Sequence, residues 1–162
     1  MDNGNIPGTG LAEKKLQIPN ADLLDECRRL LDSGQTVLIT AKGGSMFPFI
    51  KDGDRVIVCK TGKLEEGDIV LGQTGGHRFV LHRIIGTTER NCRKVYVLMG
   101  DANLKKTEEC EENDIAGKVV GIMRNGRTIA ADSPAEKFKG HVWMCLRPVR
   151  RILLKLSGYR QH

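Results

Sequence analysis

Seven short runs of β-branched and aliphatic residues follow one another through the middle of the chain. Glycine-containing sequences such as KDGD, EEGD, QTGG and RNG stand between them, as expected between antiparallel strands. The runs are TVLITA (36–41), RVIVC (55–59), DIVLG (68–72), RFVLHRII (78–85), KVYVLM (94–99), GKVVGIM (117–123) and RTIAA (127–131). Runs of this length and spacing predict a mainly β fold, with coiled antiparallel sheets in a small barrel-like domain.

One amphipathic helix is predicted before these strands. In NADLLDECRRLLDSG, Asn20 or Asp22 can cap the helix, apolar residues recur at helical spacing, and Gly34 ends it. The acidic stretch 105–117 is interpreted as a solvated loop. The predicted organisation is a flexible N-terminal arm over 1–19, a packing helix over 20–34, a β-domain over 35–132 and a basic amphipathic C-terminal helix over 133–162.

The C-terminal helix combines an apolar stripe with several basic residues. The stripe consists of Val149, Ile152, Leu153 and Leu156, and the basic residues around it are Arg147, Arg150, Arg151, Lys155 and Arg160. Pro148 is accommodated as a residue of the first turn. Such a helix suits a membrane surface or a groove in a partner, so peripheral membrane contact through residues 141–162 is one expectation. The alternative is that the stripe covers the end of the β-domain.

Composition narrows the class of protein. A chain of 162 residues with 40% hydrophobic residues suits one domain with its own core. The formal charge of +6 is modest, and without a basic-aromatic pattern no nucleic acid is expected as a partner. The five cysteines form no CxxC pair, which argues against a disulfide framework and fits a reducing compartment. No segment approaches the run of about 18 apolar residues that spans a bilayer, so a cytoplasmic location is expected.

A single serine is conspicuous in AKGGSMFPFI (41–50). Ser45 reads as a turn residue or as a nucleophile, and a nucleophilic serine needs a base. Of the four histidines, His77, His141 and His162 lie in a turn or toward the C-terminus, where exposure is the default. His82 lies inside a strand, on the face that also carries Val80 and Ile84. A histidine in that position is either a structural group or a base.

The acidic residues have structural explanations of their own. Asp54 and Asp68 occur in GD-hydrophobic sequences and are predicted to close turns into strands, and Asp101 follows a strand in MGDAN. No cluster of His, Cys and carboxylate residues has the spacing of metal ligands, so neither a metal nor another cofactor is expected.

Several motifs together resemble one family. GGSMFP, DGDRVIV, EEGDIVL, VLHRIIG, MGDAN and IAGKVVGI occur in the order and approximate spacing of signal peptidase I-like serine peptidases of the S24/S26 group. That group also contains the self-cleaving SOS repressors, and the resemblance covers about residues 36–124. Leader peptidases of bacteria and the SOS repressors use a lysine base, whereas the endoplasmic-reticulum and archaeal type uses a histidine, which this chain resembles.

The resemblance implies a role for each motif residue. Ser45 would be the nucleophile, His82 the general base and Asp101 the acid that orients the imidazole. Gly43, Gly44, Met46 and Pro48 would form the oxyanion and substrate-binding segment. An imidazole with an ordinary pKa near 6.5 is mostly neutral at pH 7, so it needs less adjustment than a lysine to accept the serine proton.

The chain departs from the family pattern in three places. Gly43 stands where the family often has a serine that contributes to the oxyanion hole. A second acid of the family is replaced, and Glu108 and Glu109 are the acidic residues near its position. The usual transmembrane anchor is not seen. The implied function is a serine endopeptidase acting on a peptide or preprotein substrate of the leader or signal type. The alternatives are a catalytically idle interaction module and a self-cleaving regulator, although only one helix precedes the β-domain, which is too little for a DNA-binding helix-turn-helix.

Overall fold

Strands dominate the computed structural model, which describes residues 12–17, 21–60, 62–75 and 78–159, with 12–17 and 21–24 described by their backbone alone. The strands are β1 (Ala12–Gln17), β2 (Val37–Thr40), β3 (Arg55–Cys59), β4 (Ile69–Thr74), β5 (Arg78–Arg90), β6 (Arg93–Met99), β7 (Glu108–Glu111), β8 (Ile115–Arg124) and β9 (Arg127–Ala130). The helices are α1 (Ala21–Asp32), α2 (Pro134–Cys145) and α3 (Arg150–Leu156), with a short 3-10 helix at Glu112–Asp114.

One sheet contains all nine strands. Its order is β1-β2-β3-β8-β4-β5-β6-β7, and β9 pairs with the far part of β8. Every pair is antiparallel except β1 with β2, which is parallel. Within the described ranges no pairing joins the two ends of this order, so the sheet is open. The predicted mainly β, antiparallel fold is confirmed, without closure into a barrel.

The alternation of side chains along the strands divides the core into two clusters. On β4, Ile69 and Leu71 join the larger cluster, which also contains Leu31 of α1. Val70 points the other way, into a smaller cluster with Ile84 of β5 and with residues of β6, β7 and β8. Burying a side chain of this kind contributes about 1.5–3 kcal/mol, so both faces of β4 stabilise the fold. The base candidate on β5 shares the face of the smaller cluster.

Two segments differ from their predicted structure near the N-terminus and in the acidic stretch. β1 lies within the segment predicted to be a flexible arm, of which residues 1–11 and 18–19 fall outside the described residues. The prediction of a solvated loop over 105–117 was wrong, because this stretch contains β7, the 3-10 helix and the start of β8. β7 tolerates its charge because Glu109 and Glu111 reach arginines across the sheet, while Cys110 points into the core.

Two helices occupy the region in which one basic helix was predicted. Pro148 lies in the turn between α2 and α3, where its missing N–H and its ring do not interrupt a helix. One face of this region packs on the domain, since Arg150 and Leu154 are buried and Arg150 Nη1 donates to the carbonyl of Asn103 at 3.2 Å. None of the helices that the structure describes is long and apolar enough to cross a membrane.

Candidate active site

The loop between β2 and β3 presents Ser45. Two of its apolar side chains, Met46 and Ile50, are buried, and the amide of Ile50 donates to the carbonyl of Met46 at 2.9 Å. On the other side, the carbonyl of Ser45 accepts a hydrogen bond from the amide of Ala102 at 2.8 Å. The loop is therefore anchored on both sides of the serine, which leaves the residue at the wall of a cavity.

The backbone amides around Ser45 are not equivalent. The amide of Gly43 donates to Asp52 Oδ1 at 2.8 Å, so it is already occupied, and Gly43 has a left-handed φ of +82°. The carbonyl of Gly44 accepts from the hydroxyl of Tyr159 at 2.8 Å. Among the described residues, the amide of Ser45 has no acceptor. That amide is available to an oxyanion, and the amide of Gly43 is not in this conformation.

A cavity of about 390 Å³ lies in front of Ser45. Its polar residues include Ser45, His82, Asn103 and Glu108. Its apolar wall includes Ile39, Met46, Leu71, Phe79 and Leu81. Positive charge is supplied by Lys42, Arg78 and Lys106. Gly43 and Met46 of the predicted binding segment line this space, whereas Gly44 and Pro48 are not among its lining residues. The cavity therefore combines an apolar wall with a small group of polar side chains, as small-molecule and peptide sites do.

His82 approaches the serine loop across Gly100. A Cβ atom added to Gly100 would lie 3.0 Å from His82 Nε2 and 2.6 Å from the Ser45 carbonyl oxygen. Only a residue without a side chain fits there, so Gly100 permits the close approach. The described residues show no hydrogen bond between Ser45 Oγ and the His82 ring, a contact that in peptidases often tightens only when substrate binds.

The acid beside His82 is Glu108 of β7. Its Oε2 atom lies 3.0 Å from His82 Nδ1, and the two side chains are only 11% and 8% exposed. This is a close contact at ion-pair distance, and within the described part of the chain neither of the two atoms makes a hydrogen bond of good geometry. The other carboxylate oxygen of Glu108 is contacted by Arg78 and lies 3.5 Å from Lys106 Nζ. A carboxylate held in this way can fix the imidazole so that Nε2 faces the serine.

The environment of His82 favours a neutral imidazole. Burial lowers the pKa of His82 below its ordinary value of 6.5, and the nearby carboxylates of Glu108 and Asp101 oppose this shift only in part. A neutral ring has a free lone pair at one nitrogen and can accept a proton at pH 7.

Asp101 is occupied by a different partner. Its two carboxylate oxygens accept hydrogen bonds from Arg83 Nε at 2.8 Å and Arg83 Nη2 at 2.7 Å, and its carbonyl accepts from Trp143 Nε1 at 2.9 Å. The sequence analysis gave Asp101 as the acid that orients the imidazole. In the structure both of its carboxylate oxygens are instead bonded to Arg83. The sequence EECE (108–111) could have identified Glu108 as the acid. Side chains alternate along a strand, so a buried Cys110 places Glu108 on the buried face and Glu109 on the exposed face.

The remaining candidates take structural positions. Asp54 accepts the amide of Lys51 at 2.7 Å and Asp68 accepts the amide of Glu65 at 3.0 Å, as predicted for turns that lead into strands. His141 is exposed, and its Nδ1 lies 2.8 Å from a backbone carbonyl of its own helix. His77 and His162 lie outside the described residues.

Comparison with known proteins identifies the family of this chain. The family model described as Peptidase S24-like matches residues 6–120, which include Ser45, His82 and Glu108. A LexA repressor from Ruegeria sp. (strain TM1040) is 28% identical over 121 residues, which make up 74% of this chain and 46% of the relative. The chain thus spans about half the length of the curated relative that it matches. Because the family model covers well over half of the chain, the chain belongs to the Peptidase S24-like family.

Proposed function

We propose that the protein is a serine endopeptidase that cleaves a peptide bond in a leader or signal-type peptide. Ser45 is the nucleophile, His82 the general base and Glu108 the positioning acid. The observation that carries the proposal is the buried 3.0 Å contact between His82 Nδ1 and Glu108 Oε2, in the same cavity that Ser45 lines. A surface histidine would not need a buried carboxylate of this kind.

The reaction follows from the positions of these groups. His82 removes the proton of the Ser45 hydroxyl, and the serine oxygen attacks the peptide carbonyl. The amide of Ser45 donates to the oxyanion that develops, while Glu108 stabilises the imidazolium. His82 then gives its proton to the leaving amine, and water hydrolyses the acyl-enzyme with the same residue as base.

An extended peptide fits the edge of β5 beside the cavity. β6 pairs with β5 only from Arg83 onward, so the stretch 78–82 has one strand neighbour, β4, among the described residues. All five residues of this stretch line the cavity. A substrate strand added here would use backbone hydrogen bonds for affinity and place one of its side chains against the apolar wall. The leader-type substrate itself is inferred from the resemblance to signal peptidases with a histidine base.

Labelling with a fluorophosphonate, which phosphonylates activated serines with loss of fluoride, tests the nucleophile directly. We expect the wild-type protein to be labelled and to cleave leader-type peptides, with both activities lost in Ser45→Ala and reduced at least a thousandfold in His82→Ala. Ser33→Ala, which removes an exposed serine at the end of α1, is the matched control and should behave as wild type. Equal labelling of all four proteins would remove Ser45 as the nucleophile. Absence of both labelling and turnover in the wild type would favour the idle interaction module.

A self-cleaving regulator is the second candidate, favoured by the similarity to a LexA repressor. In this chain β1 pairs with β2, and Ala41, the residue after β2, lines the cavity. The segment that contains β1 therefore passes near the site. Incubation of the wild type and Ser45→Ala at several protein concentrations, followed by mass spectrometry, separates the two candidates. Self-cleavage would give fragments at a rate independent of concentration. An intact chain that cleaves added peptide would exclude it.

A further inference from the structure

In the part of the chain that the structure describes, the large exposed apolar side chains lie in α2, in α3 and in the turn between them. All large hydrophobic side chains that are exposed in the described part of the chain lie between residues 138 and 156, namely Phe138, Val142, Val149, Ile152 and Leu156. Ile152 is 60% exposed and Leu156 is 79% exposed. Scattered exposed hydrophobic residues are ordinary, but their restriction to one segment marks an interaction surface.

The apolar residues of α3 form a face of their own. Val149, which caps the start of α3, and Ile152 and Leu156 within it are spaced by three and four residues, so they lie on one side of the helix. Arg150 and Leu154, on the side that packs on the domain, are buried. The exposed apolar face is therefore not the face that holds the helix in place, and its removal would leave the packing of α3 intact.

Positive charge lies beside this apolar face. Residues 133–162 contain seven lysines and arginines and one acidic residue, Glu136, which pairs with Lys139 in α2. Arg147, Arg151 and Lys155 are exposed and have no acidic partner in the ranges that the structure describes. We call the exposed side chains of Arg147, Val149, Arg151, Ile152, Lys155 and Leu156 the C-terminal face.

We propose that the C-terminal face docks on the surface of an anionic lipid bilayer. Apolar residues beside unpaired basic residues match the boundary between acyl chains and negatively charged headgroups. Each basic residue near such a surface strengthens binding by roughly fivefold. A second copy of this chain fits less well, since a symmetric contact would bring the unpaired cations together. The inference does not depend on the proposed peptidase activity.

The same segment also holds the serine loop. Directly after α3, the ring of Tyr159 stacks on Phe47 with centroids 5.0 Å apart, and its hydroxyl donates to the carbonyl of Gly44. Trp143 of α2 donates to the carbonyl of Asp101, the residue before Ala102, whose amide donates to the carbonyl of Ser45. Docking through the C-terminal face would therefore hold the Ser45 loop near the bilayer surface.

Co-sedimentation of the full chain with vesicles tests the proposal. Vesicles of phosphatidylcholine with one quarter phosphatidylglycerol are compared with vesicles of phosphatidylcholine alone. We expect binding to the anionic vesicles that weakens as salt is added and falls at least tenfold in Ile152→Ser/Leu156→Ser and in Arg151→Glu/Lys155→Glu. Both variants change exposed residues, so circular dichroism should show an unchanged fold.

The matched control reverses one exposed charge elsewhere and is compared with Arg151→Glu. Lys94→Glu lies near the tip of the β5–β6 hairpin, opposite Glu89, which is six residues along β5 from Arg83, or roughly 20 Å away, and Lys94 has no acidic partner in the described ranges. This variant should bind anionic vesicles within a few fold of the wild type. An equal loss in the control, equal binding to both kinds of vesicle, or no binding to either would overturn the proposal. Dimerisation that Ile152→Ser/Leu156→Ser abolishes, without vesicle binding, would assign the face to a second copy instead.

Discussion

Two buried acid–base pairs begin at neighbouring residues of β5 and differ in almost every physical respect. Arg83 and Asp101 are 3% and 2% exposed and share two well-aligned hydrogen bonds, with a further one from Arg83 to the carbonyl of Gly67. His82 and Glu108 face the cavity and share one close contact. Strand alternation sends the first pair toward α2 and the second toward Ser45.

This difference separates a structural pair, Arg83 with Asp101, from a chemical pair, His82 with Glu108. A guanidinium carries a permanent charge, so the first pair keeps its hydrogen bonds whatever the substrate does. An imidazole can gain and lose a proton, and burial already lowers the pKa of His82 toward the neutral state. We therefore assign Arg83 and Asp101 to stability, and His82 and Glu108 to the proposed reaction.

Breaking the structural pair should produce the largest effect. Asp101→Ala leaves the buried charge of Arg83 uncompensated, and we expect the free energy of unfolding to fall by about 3–5 kcal/mol in urea denaturation. The double variant Arg83→Met/Asp101→Leu should recover most of that loss, because no charge remains buried. If Asp101→Ala instead abolished turnover at unchanged stability, Asp101 would be the orienting acid and the comparison would be reversed.

Removing the acid of the chemical pair should affect turnover more than folding. We expect Glu108→Gln to lower kcat about a hundredfold, because the amide no longer stabilises the imidazolium. The carboxylate of Glu108 raises the pKa of His82, so its loss should also move the acidic limb of the kcat/KM profile to lower pH. Glu109→Gln, one residue along on the exposed face, is the control and should leave both quantities unchanged.

Stability should depend on pH through His82. Because burial lowers the pKa of His82 in the folded state, the unfolded chain binds the proton first as pH falls below 6.5. The free energy of unfolding should therefore decrease from pH 6.5 downward, by at most about 1.4 kcal/mol per pH unit from this group. Comparison of His82→Gln with the wild type isolates the contribution. An identical pH dependence in the two proteins would contradict a buried, neutral His82.

The smallest effect is expected at the exposed end of the chemical pair. Arg78 lowers the pKa of His82 and contacts the second oxygen of Glu108. Arg78→Gln should move the acidic limb of kcat/KM to slightly higher pH, opposite in direction to Glu108→Gln, with little change in stability because its side chain is 58% exposed. If both variants moved the acidic limb of the kcat/KM profile in the same direction, the limb would not reflect the protonation of His82.

The sequence predicted those features that depend on local periodicity. The seven β-rich runs and the face of β5 that carries His82 follow from alternation, and they are strands in the structure. Turn chemistry gave the positions of Asp54 and Asp68 correctly. Ser45 and His82 could be chosen because a resemblance linked motifs that are 37 residues apart.

Features that depend on tertiary partners were not predictable in the same way. The acidic sequence EECE predicts a solvated loop, because a strand with this much charge is unfavourable alone. Arginines of the β5–β6 hairpin pair with Glu109 and Glu111 and allow β7 to form, which the local sequence does not show. Asp101 follows a strand directly and looked well placed, but Arg83 from the opposite face of β5 takes both of its oxygens. Pro148 lies between two helices rather than inside one, because it has no backbone N–H and its ring does not fit a helix interior, so a continuous apolar stripe did not mean a continuous helix.

The contact of Tyr159 with the serine loop has a practical consequence for trimming the chain. Residues 157–159 look dispensable, since they follow α3 and belong to none of the described helices or strands. Truncation after Gly158 would nevertheless remove the ring stacked on Phe47 and the hydroxyl that donates to the carbonyl of Gly44, and these two residues flank Ser45. A shortened protein could thus fold normally and still be inactive, and its inactivity would be misread as evidence against the nucleophile.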